Sequence, residues 1–300
     1  MGGFRAEDVG SQEGRCFLVT GANTGLGYEA AKVLAARGGR VLFGCRSEER
    51  ALAAMRQVED AHPGVDIAFV ELDQADLSSV RRCADQVLAD ESLDVLVNNA
   101  GLVARERVVT VDGFESQFAI NHLGTFALTG LLLPALRDRK DARIVITASL
   151  AHTQGQIFFE DLQAEDKFRS QARYSQSKLA NLLHMLELDR RLRAADAEAI
   201  AVACHPGLAA TDIARDMQIG RLLLPVIRPL FNSAAEGAWT TLQAATDPGA
   251  KGGEYFGPTR RGETAGPSGR ARIRGQARDP EIAERLWDIS VELAGVDPGV

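Results

Sequence analysis

Residues Arg15 to Gly27 read RCFLVTGANTGLG, an apolar run followed at once by a glycine-rich turn. The run predicts a buried strand, and Thr20–Gly27 predicts a tight turn opening a helix at about Gly25. Gly21, Gly25 and Gly27 permit close backbone approach, and the helix start offers free N–H groups and a positive dipole end to a pyrophosphate. Asn23, Thr24 and Leu26 complete this candidate cradle. The spacing, GxxxGxG, is a variant of the dinucleotide fingerprint. An ordinary glycine-rich connection has the same composition. What separates the two is position, between a first strand and a first helix.

Strand-like and helix-like runs then alternate through strands at Arg40–Cys45, Asp66–Glu71, Asp94–Val97, Ala142–Ala148 and Ile200–Cys204. Helices are expected from Glu48, from Asp76, over about Gly113–Leu136 and over about Ala172–Arg193. This alternation predicts an α/β fold: a single Rossmann-type domain, 15–300, with a doubly wound parallel sheet and helices on both faces. The last third is less regular, with an apolar, proline-broken segment at Ile219–Phe231, a helix from about Ser233, a short strand near Tyr255 and a closing helix, Pro280–Leu293. Residues 1–14 read as a flexible tail, and the Gly/Arg/Pro-rich residues 258–278 read as a loop.

Composition narrows the function classes. A chain of 300 residues, 45% of them hydrophobic, can bury a large core, and its net charge of -7 argues against a nucleic-acid partner. Cys16, Cys45, Cys83 and Cys204 form no CxxC pair, and three lie in strand-like runs, as reduced core residues of a cytoplasmic protein would. No apolar run reaches the ~18 to 20 residues of a bilayer span, so no integral membrane association is expected. No Cys/His cluster has metal-ligand spacing, and no metal is expected.

The second strand ends Gly44-Cys45-Arg46-Ser47, where an acid would accept from the ribose hydroxyls of NAD. Arg46 can instead pair with a 2′-phosphate and Ser47 can donate to it, so NADP(H) is favoured. Glu48 and Glu49 stand close enough to blunt the charge of Arg46. Tyr174-Ser-Gln-Ser-Lys178 puts a phenol and an ammonium on one face of a helix. A fixed cation favours the phenolate, and a phenol so tuned can exchange a proton with a carbonyl oxygen. Tyr and Lys at this spacing also occur on unrelated helices.

TGANTGLG, NNAG at Asn98–Gly101, Asn121 in NHLG, Ser149 in TASL, YSQSK and HPG at His205–Gly207 together resemble the short-chain dehydrogenase/reductases. The resemblance runs from about Arg15 to the closing helix. NHLGTFALTGLLLPAL, YSQSKLANLL and LWDIS look like the retinol dehydrogenase and protochlorophyllide reductase branch. The resemblance implies that Tyr174 exchanges a proton with the substrate oxygen while a hydride moves to or from the nicotinamide. It implies that Lys178 lowers the phenol's pKa and bonds the nicotinamide ribose, and that Ser149 donates to the substrate oxygen. Ser149 alone would read as a turn or capping serine. Asn121 resembles the residue that links Lys178 to solvent as a proton relay; without the family it would read as a helix-interior amide that distorts its turn. Asp73 resembles a contact to the adenine region, and a helix cap is an equal reading. Asn99, Ala100 and Gly101 would lie beside the coenzyme, with Asn98 structural. Pro206, Gly207 and Thr211 would stand at the nicotinamide, and His122, His152 and His205 read as structural.

The substrate-selecting segment is expected at 208–231, whose apolar residues suit a hydrophobic carbonyl or alcohol or, equally, core packing. Ile157, Phe158 and Phe159 would close its other side. The helix faces at Phe114–Leu132 and Leu179–Leu188 resemble those that pair family members into homodimers or homotetramers, although core burial explains the same pattern. The leading expectation is an NADP(H)-dependent oxidoreductase. The alternatives are a catalytically silent NADP-binding regulatory protein and, from the branch resemblance alone, light-driven reduction of a tetrapyrrole.

Overall fold

The computed structural model describes residues 2–90, 92–207 and 231–300. Eight strands form one sheet in the order β3-β2-β1-β4-β5-β6-β7-β8. They are β1 Cys16–Thr20, β2 Arg40–Cys45, β3 Ile67–Glu71, β4 Val95–Asn98, β5 Arg143–Thr147, β6 Ile200–Cys204, β7 Tyr255–Arg260 and β8 Ala265–Arg270. All neighbours pair in parallel except β7 and β8. Every residue of β1, β4 and β5 is buried, as a sheet covered on both faces requires. Strand order reverses between β1 and β4, and the crevice at such a reversal is where α/β sheets bind ligands.

Helices cover both faces. α1 Gly25–Ala36, α2 Glu48–Ala61 and α7 Ala234–Thr246 enclose one core with Phe17, Val19, Phe43, Val97 and Phe256. α3 Leu77–Asp90, α5 Gly124–Leu136, α6 Ser170–Ala194 and α8 Pro280–Ala294 enclose the other with Leu18, Leu96, Ile144 and Tyr255. Local sequence sets several of the ends. Ser47 accepts from the Arg50 N–H, Ser233 and Glu236 form a capping box, and α8 starts on Asp279-Pro280 and stops at Gly295, φ 60°.

Four findings depart from expectation. Residues 2–14 pack on the domain instead of trailing as a tail: Phe4 exchanges N–H···O bonds of 2.8 and 2.9 Å with Ser268, and Val9 is buried. That bridge occupies the outer edge of β8 at Ser268, where backbone groups would otherwise stay open. The loop expected at 258–278 contains the end of β7, the whole of β8 and a 3-10 turn, Gly275–Arg278. AGPSGR lacks apolar alternation, and an edge strand tolerates its proline and glycines. The helical stretch Ser116–Leu136 is long and apolar enough to cross a membrane, yet most of it is buried as a core helix. Finally, α8 lies on α6 and α5, the faces expected to pair subunits. Trp287 meets Phe126 and His184 at ring centroid distances of 5.0 and 5.8 Å, and Ser290 Oγ lies 2.8 Å from His122 Nε2.

Candidate active site

The phosphate cradle is assembled from two turns that flank the reversal of strand order. Thr20, the last residue of β1, accepts the N–H groups of Asn99 and Ala100 on its Oγ1 at 3.0 and 2.9 Å, and its carbonyl accepts from Asn99 Nδ2 at 2.9 Å. These bonds press the NNAG turn against the glycine turn. A Cβ on Gly27 would lie 2.4 Å from Asn99 Nδ2 and 2.5 Å from the Gly21 carbonyl, so only glycine fits there. Gly21, at φ 67°, has Ala100 in the same position at 3.2 Å. Thr24 precedes α1 in an extended conformation and makes no side-chain cap, and no acid stands in the first turn. The first N–H groups of α1, beginning at Gly25, therefore carry neither a capping oxygen nor a competing carboxylate, the condition for holding a pyrophosphate. Asn23, Thr24 and Gly25 also line an open cleft of about 510 Å³ against Tyr28, Arg50 and Gln57. The residues present fit a dinucleotide.

Arg46 extends from the end of β2 with its side chain 72% exposed, and Nη1 lies 3.8 Å from Asp73 Oδ2. The acid that tempers Arg46 is thus Asp73, across the sheet edge. Asp73 accepts from the Ala75 N–H at 2.9 Å, while the start of α3 is capped by Asp76 and by Asp112. The helix-cap alternative for Asp73 accordingly passes to these two acids. Ser47 stands at the head of α2, where its oxygen accepts from the Arg50 N–H at 3.3 Å.

At the carboxyl ends of β4 and β5, Lys178 stands next to Tyr174 and, across Gly101, near Asn121, while Ser149 follows β5 two residues after the strand end that holds Lys178. Lys178 is buried on α6, and its Nζ donates to the Thr147 carbonyl at 3.1 Å, pinning α6 to the end of β5 two residues before Ser149. Nζ also lies 5.9 Å from the ring centroid of Tyr174, one turn earlier. Ser149 leaves the strand extended and accepts the Ala151 N–H at 3.1 Å, so its turn-capping role is real; its own hydrogen stays available to donate. Asn121 sits in a π-helical turn, Ala119–Leu123, between the short helix α4 (Ser116–Phe118) and α5. Its Nδ2 donates to the Leu102 carbonyl and to Ser177 Oγ, both at 2.9 Å, and its Oδ1 accepts the Leu102 N–H at 2.8 Å. The distortion expected at Asn121 is present, and π turns of this kind gather at functional sites. A Cβ on Gly101 would lie 3.0 Å from Asn121 Oδ1 and 3.2 Å from Lys178 Nζ, so glycine keeps the approach to both open.

Pro206 and Gly207 follow β6. Gly237 of α7 lets Leu26 and Pro206 close on it, where a Cβ would stand 2.7 and 3.2 Å from their side chains, tying the glycine turn to the turn after β6. Asn98 is structural, its Nδ2 donating to Thr129 Oγ1 at 3.0 Å. His122, His152, His184 and His205 are buried, and burial holds each below the usual imidazole range, His122 at about 3. Ile157, Phe158 and Phe159 are taken up by packing: Ile157 joins the core, Phe158 lies under Arg173 and Phe159 under Arg285. Thr211 and the rest of the expected substrate segment, 208–230, lie outside the described residues.

Sequence reasoning missed the groups that hold the site residues in place: Thr20 beneath the NNAG turn, Thr147 beneath Lys178 and Ser177 against Asn121. Ser177 was visible inside YSQSK as a polar residue on the buried side. Thr20 and Thr147 open TGANTGLG and TASL, yet nothing in those motifs marks the bonds they make.

Residues 15–221 match the family model described as short chain dehydrogenase. Retinol dehydrogenase 12 of Mus musculus is 38% identical over 286 residues, 94% of this chain and 87% of that protein. Retinol dehydrogenase 14 of Homo sapiens is 37% identical over 312 residues, 97% of this chain and 90% of that protein. Among solved structures, a protein from Mycobacterium paratuberculosis shares 39% identity with a TM-score of 0.83, over 99% of this chain and 100% of that one. A blue fluorescent protein from a metagenomic library, in complex with NADPH, shares 25% identity with a TM-score of 0.64, over 82% of this chain and 96% of that one. Motifs, sheet order and relatives agree: the chain belongs to the short-chain dehydrogenase family, in its retinol dehydrogenase-like branch, and is an oxidoreductase acting on CH–OH or C=O groups.

Proposed function

We propose that the chain is an NADP(H)-dependent oxidoreductase of apolar ketones, aldehydes or secondary alcohols, with Tyr174 as general acid and base. The observation that carries this reading is Lys178, a buried ammonium fixed to the end of β5 and set under the Tyr174 ring. A cation held out of water next to a phenol favours the phenolate, which brings the group toward the pH at which it can both take and give a proton. When bound, the coenzyme supplies or accepts the hydride. In the reducing direction Tyr174 gives its proton to the substrate oxygen, Ser149 donates a hydrogen bond to that oxygen, and Lys178 stabilises the phenolate left behind. Asn121, beside Lys178 at Gly101, begins the path by which Tyr174 is reprotonated from solvent.

Gly21, Asn23, Thr24, Gly25, Leu26 and Gly27 hold the pyrophosphate, and Asn99, Ala100 and Gly101 flank the coenzyme. Arg46, with Ser47 beside it and Asp73 steadying it, takes the 2′-phosphate; the NADPH complex of the similarly folded fluorescent protein supports that choice. Pro206, Gly207 and Thr211 border the nicotinamide, and residues 208–231 select the substrate. Cys45, Cys83 and Cys204, buried and outside any disulfide, suit a reducing compartment, and a cytoplasmic location belongs to this reading; recovery of the native protein with membranes would contradict it.

The purified protein is mixed with NADPH and a carbonyl panel headed by retinal, because the relatives are named for its alcohol. Consumption of NADPH with an apolar carbonyl is expected. Tight NADPH binding without turnover on any member would replace the reading with a nucleotide-binding regulator.

A further inference from the structure

The site has two arms on different strands: the turn after β5, which carries Ser149, and the turn after β6, which carries Pro206 and Gly207. One side chain stands between their supports. Tyr255, the first residue of β7, is 2% exposed. On one side His152 meets it edge-on, with ring centroids 5.5 Å apart and planes at 83°, and His152 Nδ1 lies 2.6 Å from the Ser149 carbonyl. On the other, His205 lies against it at 5.0 Å, and His205 Nδ1 accepts the Gly207 N–H at 3.2 Å. Each arm is therefore tied by its own backbone to a histidine, and both histidines rest on one ring.

The surroundings hold that arrangement. A Cβ on Gly257, two residues along β7, would lie 2.0 Å from His205 Nε2, so the imidazole can be seated only over glycine. Glu263, in the β7–β8 turn at φ 70°, brings its carboxylate to 3.7 Å from His205 Nε2 and to 3.9 Å from Arg274. The hydrogen bonds fix the tautomers: His152 donates through Nδ1, and His205 accepts through Nδ1 with its remaining hydrogen toward Glu263. The Tyr255 hydroxyl has no hydrogen-bond partner among the described residues, so the ring itself carries the contacts.

Resting on the proposed function, we propose that Tyr255 is a positioning residue whose ring, clamped between His152 and His205, sets the Ser149 arm against the Pro206–Gly207 turn. It touches neither substrate nor coenzyme; it keeps the serine alcohol in register with the nicotinamide side of the site. Protonation of His205 at Nδ1 would break the Gly207 bond, and protonation of His152 would place a second cation near Arg274. The other ionisable groups around the clamp are Glu263, Tyr174 and Cys204, with Lys178 beyond Cys204.

The test compares Tyr255→Phe with Tyr255→Leu in the full chain, after a melting curve shows each is folded. Tyr255→Leu should lower kcat between about ten- and a hundredfold, the loss expected of an ångström-scale misplacement. NADPH affinity, read by fluorescence without turnover, should stay near the parent value. The acid limb of its pH profile should move to higher pH as water reaches the two imidazoles. Tyr255→Phe keeps both ring faces and should restore kcat and the acid limb. Parent-like kcat in Tyr255→Leu, or equal losses in the two variants, would overturn the proposal. Should Tyr255→Leu not fold, His152→Gln removes the clamp from the Ser149 side and must give the same kcat loss with NADPH affinity kept. A parent protein that neither binds NADPH nor turns over would defeat the proposed function instead, whatever the variants do.

Discussion

The two ends of the sheet are built on different principles. Around β1 and β4 the site consists of two short turns, Gly21 and Gly27 in one and Asn99 and Ala100 in the other, joined by the Thr20 bonds and by the close approach that the glycines permit. Around β6, β7 and β8 the local β7–β8 hairpin is joined by contacts between distant parts of the chain, with Phe4 on Ser268, His152 and His205 on Tyr255, and α8 on α5 and α6. The coenzyme side presents backbone to a ligand shared across a family, which short motifs can encode. The far edge is held through packing.

This contrast can be broken at several points. The largest effect is expected at the junction of the two regions. Lys178→Met removes the buried ammonium and should lower kcat by about 10² to 10⁴, the usual range for a general acid–base device, with a smaller loss of NADPH affinity, measured by fluorescence, for the missing bond to the nicotinamide ribose. A loss below tenfold would separate Lys178 from the chemistry. On the far edge, Trp287→Ala should destabilise the fold by about 3 to 5 kcal/mol, seen as a lower denaturant midpoint, because the indole fills the seam between α8 and α5 and α6. The same variant should leave the affinity for NADPH unchanged; a coenzyme site that loosened with it would show that the two regions are one cooperative unit.

Arg46→Ala probes the coenzyme side alone. Loss of the charge-assisted bonds to a 2′-phosphate, about 1.5 to 3 kcal/mol, should weaken NADPH by roughly ten- to a hundredfold and leave NADH nearly unaffected. Equal losses would remove the phosphate role from Arg46. The effect that builds up gradually is titration. Burial lowers the pKa of His122, His152, His184 and His205 in the folded state, so the unfolded chain binds protons first. Stability is fully present above the unfolded value near ~6.5 and falls as pH drops toward the folded values, by up to about 1.4 kcal/mol per pH unit for each histidine. Unfolding midpoints measured from pH 7 to 4 should fall in this sense, and a flat profile would contradict the burial of these imidazoles.

The same contrast explains what was legible in the sequence. The strand and helix order, the glycine cradle, the distorted turn at Asn121 and the Tyr174/Lys178 pair all rest on spacing within one element or between consecutive ones. β8 reads as loop in the sequence because AGPSGR has no apolar alternation; its partners are the edge of β7 and the distant Phe4. The docking of residues 2–14 was invisible for the same reason. The closing helix was expected, but its seat on α5 and α6 was not, since an apolar face says only that something covers it. Tyr255 showed as a strand residue, and nothing in its neighbours announces the two imidazoles on its flanks.

The central claim is that proton exchange runs through the Tyr174 phenol. It is tested most directly by Tyr174→Phe in the folded chain, with NADPH affinity and carbonyl turnover measured on one preparation. NADPH should bind as in the parent while turnover falls by at least about a hundredfold. Turnover that survives the loss of the hydroxyl would contradict the account.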